Sequence, residues 1–395
     1  MGRIIQFELK KLFGNRLVLV MLLLFSILNV CKIQSDFSKT TRTNEQFYAI
    51  YFELYEDVSG PWDNAKIEYV IAEYDKAKAI IDTGNFSTEP NQPGTHTGYI
   101  FGDYSLFETM KTEMDTRYHY GDTMDALTAK AADNAAFYRE KGNEYLAAEN
   151  EKIENTYQGR SVSAFYDTWG LTEYFKYDLS TLFILLLLIP LLAPLFAKEH
   201  EIEMHGLLKL TQNGRNLALC KLLAATLAVC LVSLFFLLQD FAAFTYIYHI
   251  DGFSQPIYAL ADFFYSPLTV SVGGYIALSA ALKLLGFLVL GGVCMLFSAL
   301  MKKEMLPFCG ALAVTALFVL GDAFVESEIL SIVNPVTLLA SEKLFHDFQV
   351  VHVLDMPVFA FWLPILAACL LLLLLSILTL RCSAYASRRS RKEPK

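Results

Sequence analysis

The chain has 395 residues, of which 54% are hydrophobic and only 18% charged, and its mean hydropathy is +0.38. The charges sit in blocks between long apolar runs, which excludes an ordinary soluble domain and marks a polytopic membrane protein. The net charge of −9 divides unevenly: residues 32–178 carry 14 Lys and Arg against 26 Asp and Glu, so the remainder is slightly basic. No concentrated basic surface points to nucleic acid.

Seven cysteines lie at 31, 220, 230, 294, 309, 369 and 382. None falls between 32 and 198, so the long polar region has no disulfide framework. No C-x-x-C pair suggests zinc or thiol redox chemistry. A cysteine-free outer region suits a bacterial exterior.

In chain order, residues 1–16 place Ile5, Leu9, Leu12 and Phe13 at helical spacing beside Arg3, Lys10 and Lys11. This pattern predicts an interfacial helix. A first membrane span follows at 17–33, short but sufficient. Residues 34–178 have helical texture: 64–81 are rich in Ala, Glu, Lys and Ile, and 123–156 read as one or two helices broken near Gly142. Pro90, Pro93, Gly94 and Gly98 mark a loop between them.

The second span is expected at 179–197, with a kink from Pro190 and Pro194. The third is expected at 217–241, continuing as helix toward Tyr248. The fourth is placed at 282–300, because a start at Leu268 would overrun a bilayer of about 30 Å. Lys283 would then snorkel at the boundary. The fifth is expected at 305–324 and the sixth at 356–380. Between the third and fourth spans, 251–270 reads as a membrane-surface hairpin, and between the fifth and sixth, 331–343 reads as an interfacial or re-entrant segment. Asp240 and Gln239 fall where the third span reaches the outer interface, and Asp322, Glu326 and Glu328 just outside the fifth. All of these are expected to be solvated.

Orientation follows from the basic residues of the short loops. Segments 1–16, 198–221, 301–304 and 381–395 carry four, four, two and six Lys or Arg, against none in 251–267 and one, Lys343, in 321–355. Both termini are therefore expected in the cytoplasm, and 34–178 outside. The basic tail occupies 381–395.

The connection between the second and third spans, 198–216, is the most informative stretch. Glu199, Glu201 and Glu203 precede Lys209, Arg215 and Lys221, an order that complements a helix dipole. Leu207, Leu208 and Leu210 supply an apolar side. His200 and His205 flank the acids, but a spacing of five turns the second imidazole about 140° away from the first, unlike the zinc motif H-E-x-x-H.

An acid, a second acid two residues on, a Leu-Leu pair, a hydroxyl residue and then Arg resemble the first cytoplasmic loop of type-2 ATP-binding-cassette (ABC) exporter permeases. The positions that match are Glu199, Glu201, Leu207, Leu208 and Arg215. Glu203 stands where that family has Gly, and Gln212 where it often has Pro. The overall layout is similar to a subgroup with a large outer loop after the first span.

The resemblance implies an all-α polytopic membrane protein with six transmembrane helices and a mainly helical extracellular domain. It also implies a permease subunit in a bacterial cell membrane, moving a hydrophobic, peptide or lipid-like substrate outward. The five matching residues would contact a separate ABC ATPase, which would use ATP and Mg. The chain has no Gly-Lys dipeptide and hence no P-loop, so it binds no ATP by that mechanism and is expected to be no enzyme. Six spans without a repeat call for a second permease subunit, as homodimer or heterodimer, alongside membrane lipid. The other reading is an immunity complex whose outer domain captures an antimicrobial peptide.

Overall fold

The computed structural model describes residues 2–42, 44–84, 92–201, 214–303, 305–324, 328–353 and 356–389. An amphipathic helix α1 (Gly2–Phe13) leads into α2 (Arg16–Arg42). A polar domain follows, made of α3 (Glu45–Val58), α4 (Asn64–Asp82), α5 (Ile100–Tyr118), α6 (Tyr120–Glu140), α7 (Glu144–Tyr157) and α8 (Trp169–Lys176). The chain then re-enters its apolar part through α9 (Leu179–Leu192) and α10 (Pro194–Glu201). The remaining helices are α11 (Gly214–Ile247), α12 (Val272–Leu300), α13 (Met305–Phe324), α14 (Glu328–Val333) and α15 (Trp362–Arg389).

Six of these stretches are long and apolar enough to cross a membrane. With 79% of the structure helical and no closed sheet, the architecture is that of an all-α polytopic membrane protein. Leu19, Val20, Leu23, Leu24 and Ile27 of α2, and Leu366, Leu370, Leu373 and Leu374 of α15, are exposed. A contiguous apolar face of that kind is untenable in water and ordinary in lipid.

The membrane core packs α9 against α11 and α12, with Leu187, Leu188 and Leu191 set among Ala225, Ala228, Val229 and Phe287. Small residues permit this approach, as expected where packing replaces the hydrophobic effect. At Gly291 an added Cβ would stand 3.0 Å from Val229, and at Gly286 it would stand 2.8 Å from Leu339 and 3.0 Å from the Pro335 carbonyl. The turns at Pro335–Leu338 and Ser341–Leu344 thus nest against α12, with Leu338 fully buried.

Three expected spans differ: the first, expected to end at 33, runs on as helix to Arg42. The fourth begins ten residues earlier, because Val272 and Tyr275 are buried by protein (Phe175, Phe263 and Phe345 around Tyr275) and extend the helix. The sixth begins later. Met356–Phe359 is a strand (β4) paired with Val350–Val353 (β3), and only after this hairpin does α15 start, at Trp362.

In the polar domain the expected helices form with their caps in place. Asp63 caps α4 through the Ala65 N–H at 3.0 Å, and Asn143 caps α7 through the Leu146 N–H at 3.1 Å. The break at Gly142 carries φ +73°, a left-handed conformation suited to glycine. The core is Leu54, Tyr55, Val70, Leu106, Phe107, Met110 and Phe165. A two-residue ladder, Gly60–Pro61 (β1) against Ala164–Phe165 (β2), closes it.

Residues 251–270, read as a membrane-surface hairpin, form the platform on which the polar domain sits. Arg160 donates to the carbonyls of Ser266 (2.7 Å) and Pro267 (2.9 Å) while lying over the Tyr157 and Tyr258 rings. Tyr120 stacks on Tyr258 at 4.8 Å and donates to the Phe264 carbonyl at 3.2 Å. Of the aromatic residues that suggested lipid, Tyr258 and Phe263 are buried against other aromatic residues, while Tyr265 is exposed.

Arg160→Ala removes two charge-assisted hydrogen bonds from a buried site and should destabilise the junction by about 2–4 kcal/mol. Hydrogen exchange would show it as lost protection across 256–267, with the core of α4 and α5 unchanged.

Candidate functional site

The start of the connecting segment is built on a break in the second span. Pro194 opens α10, and its missing N–H ends the hydrogen-bond run of α9 near Ala193. A neighbouring helix re-satisfies the freed backbone, as membrane kinks require. Ser298 on α12 donates to the Ala193 carbonyl at 2.7 Å and accepts from the Phe196 N–H at 2.9 Å. This serine therefore fixes the direction in which α10 leaves α9.

One turn further, Glu199 is 5% exposed and its Oε1 accepts two ammonium groups, Lys11 of α1 at 2.7 Å and Lys221 of α11 at 2.5 Å. Lys221, 1% exposed, also donates to the Leu195 carbonyl at 2.9 Å and lies over the Phe196 ring. Glu8, buried on α1, stands 3.7 Å from Lys11. Two acids and two bases form a neutral cluster, the arrangement under which buried charges persist. It joins three elements that are distant in sequence.

The candidate residues thus separate. Glu199 lies inside the protein, held by its own chain, and is not a surface charge. Glu201 is exposed at the end of α10. Leu207 and Leu208 lie outside the described residues, as does His205. Arg215 falls in the first turn of α11, with its side chain outside the described set. Sequence reasoning missed Lys11, Lys221, Glu8 and Ser298 as members of this site. The available signal was Lys221: a lysine within an apolar run needs a partner, and Glu199 was the nearest acid across the connection.

A second polar cluster lies toward the polar domain. Asp240 was expected to be solvated, yet it is buried and accepts from Asn29 Nδ2 at 2.6 Å. Tyr177 donates to Asn29 Oδ1 at 2.8 Å, and Gln239 donates to Ser26 Oγ at 2.6 Å. These bonds tie α2, the start of α9 and α11 together. Lys283 is half-buried on α12. Asp322 accepts from Thr337 at 3.4 Å.

Beyond this cluster, a cavity of about 450 Å³ opens at the foot of the polar domain, lined by Phe52, Tyr55, Glu56, Asp167, His249 and Asp251 among others. Asp167 Oδ1 accepts from the Tyr51 hydroxyl at 2.8 Å and the Trp169 N–H at 2.9 Å. Burial nonetheless pushes its carboxyl up, and burial does the same to Asp251 and Glu113.

Compared with known protein families, characterised proteins and solved structures, the chain matches none. The reading of its function therefore rests on its own residues.

Two outcomes test these sites. Glu199→Gln leaves Lys221 buried with its charge uncompensated and should cost about 3–5 kcal/mol, measured by unfolding in micelles. Glu199→Gln with Lys221→Met removes both charges and should recover most of that loss. Equal losses in the two variants would contradict the cluster.

The second outcome concerns pH. A carboxyl with a raised folded pKa binds its proton more readily folded than unfolded, so its contribution to stability falls as pH rises through the raised value. The polar domain should gain stability on mild acidification from neutral pH toward the ordinary carboxylate range. Asp167→Asn should flatten that gain, as read from thermal unfolding of wild type and variant side by side.

Proposed function

We propose that this chain is the permease subunit of an ABC exporter, with both termini in the cytoplasm and residues 34–178 outside the cell. A separate ATPase would supply ATP and Mg chemistry, and a second permease subunit would complete the pathway. The substrate class that fits is hydrophobic, peptide or lipid-like.

The observation that carries this reading is the Glu199 cluster. A segment that receives a mechanical push is useful only if it is rigidly joined to the spans it must move. Glu199 joins α10 to α1 and α11, while Ser298 joins the same corner to α12. A closing ATPase that pressed on 198–216 would displace these four helices together. Glu201, exposed just beyond the cluster, and Arg215 at the far end remain the docking charges in this reading, with Leu207 and Leu208 as their apolar complement. Glu199 becomes the anchor of the segment. The basic loops support the orientation, since the same face carries α1, the 198–216 connection and Lys302–Lys303.

Co-expression with a candidate ABC ATPase from the same genome tests the reading. Wild type should co-purify with that ATPase. Glu201→Lys should weaken the association, by about 2–5 kcal/mol if its partner pair is desolvated and by about 0–1 kcal/mol if the pair lies at the rim. Glu149→Lys on the polar domain should leave association unchanged. Unaltered association and ATPase stimulation in Glu201→Lys would remove that residue from the interface. A wild-type chain that binds no ATPase would overturn the permease reading itself.

A further inference from the structure

The face that carries α1 holds another cavity of about 450 Å³, between the α1–α2 turn and the α9–α10 break. Three cations line it, Lys11, Arg16 and Lys198, and its apolar floor includes Leu12, Leu191 and Leu195. Lys11 is already committed to Glu199. Arg16 and Lys198 are exposed and make no ion pair among the described residues. The cavity therefore presents two uncompensated positive charges above buried hydrocarbon.

Local structure adds to this polarity. The turn at Gly14 is tight: an added Cβ there would stand 2.6 Å from the Lys10 carbonyl. Asn15 then starts α2 by accepting from the Leu17 N–H at 3.1 Å. The positive end of a 27-residue helix thus faces the same opening. Immediately beyond, Leu17, Leu19, Val20 and Leu23 are exposed along α2, so the cavity lies at the depth where hydrocarbon gives way to headgroups.

We propose that this cavity binds an anionic phospholipid, its phosphate between Arg16 and Lys198 and its acyl chain on Leu12, Leu191 and Leu195. Basic pockets between membrane helices recognise such headgroups. Inorganic phosphate would satisfy the cations but leave the apolar floor wet. A zwitterionic lipid would bring a cationic choline toward two uncompensated cations. The bound lipid would bridge the start of α2 to the end of α10 and so brace the corner that Glu199 holds from inside. This binding requires the six-span architecture and no ATPase partner.

The test uses the full chain in phosphatidylcholine nanodiscs with or without a minority of phosphatidylglycerol. Thermal unfolding reads stabilisation, and native mass spectrometry after extraction reads retained lipid. Wild type should be stabilised by phosphatidylglycerol and retain it. Arg16→Gln with Lys198→Gln should retain it about 30-fold less, the loss expected for two charges near an anionic surface. In pure phosphatidylcholine the same variant should unfold as wild type does. Arg16→Lys with Lys198→Arg should keep binding. Lys302→Gln with Lys303→Gln, which removes two charges elsewhere on that face, should behave as wild type. Retention unchanged in Arg16→Gln with Lys198→Gln would overturn the proposal. Equal loss in the Lys302 and Lys303 variant would reduce the effect to general surface charge and overturn it as well. Displacement of phosphatidylglycerol by inorganic phosphate would make the cavity a soluble-anion site and likewise reject the lipid.

Discussion

One carboxylate, shared between two lysines in the protein interior, governs the α1 face of this molecule. Glu199 takes ammonium groups from Lys11 and Lys221, and neither Glu199 nor Lys221 could stay charged in so dry a place alone. The desolvation cost is offset only when all the partners are present, so α1, α10 and α11 must assemble together. The kink at Pro194 exists within the same constraint. Ser298 bonds the Ala193 carbonyl and the Phe196 N–H on either side of the proline, and the helix that leaves that corner carries Glu199 one turn later. The cavity beside Arg16 and Lys198 is the outer side of this corner.

The opposite end of the spans follows a related logic with neutral groups. Asn29 donates to Asp240 where water is excluded, Tyr177 donates in turn to Asn29, and Gln239 donates to Ser26 beside them. Above it, Arg160 fixes the polar domain to 251–270 through two carbonyls and two aromatic faces. Between these polar ends the packing of α9, α11 and α12 is apolar and close, with Ala225, Ala228 and Gly291 at the contacts. Directional bonds at both ends tie the helices to one another, so sliding one past its neighbour would break those bonds.

Much of this organisation was legible in the sequence. Apolar runs and their flanks located α2, α11 and α13, and Gly142 located the break between α6 and α7, because length and local backbone preference decide those features. The limits of the fourth and sixth helices were not legible. Tyr275 extends α12 because remote aromatic rings cover it, and Met356–Phe359 forms a strand because 350–353 offers an edge. The burial of charge was the least legible feature. Glu199 and Asp240 read as surface residues because their partners Lys11 and Asn29 lie 188 and 211 positions away. A charge at the end of an apolar run reads the same whether water or a distant lysine meets it.

That ambiguity bears on how the two acids of the connection divide their work. A docking segment transmits force in proportion to the stiffness of its attachment, and an exposed ion pair is a poor attachment, being worth about 0–1 kcal/mol and open to exchange with water. A buried, multiply hydrogen-bonded carboxylate is far stiffer, because any displacement strands a charge away from its partner. An acid in the last turn of α10 can serve as attachment or as contact, but one carboxylate with both ammonium partners already inside the chain has little capacity left for a third from outside. The two-residue spacing resolves the conflict. On a helix, residues two apart point about 200° from each other, so Glu199 faces the spans while Glu201 faces away. The E-x-E pair thus sets Glu199 into the packed helices and leaves Glu201 at the surface.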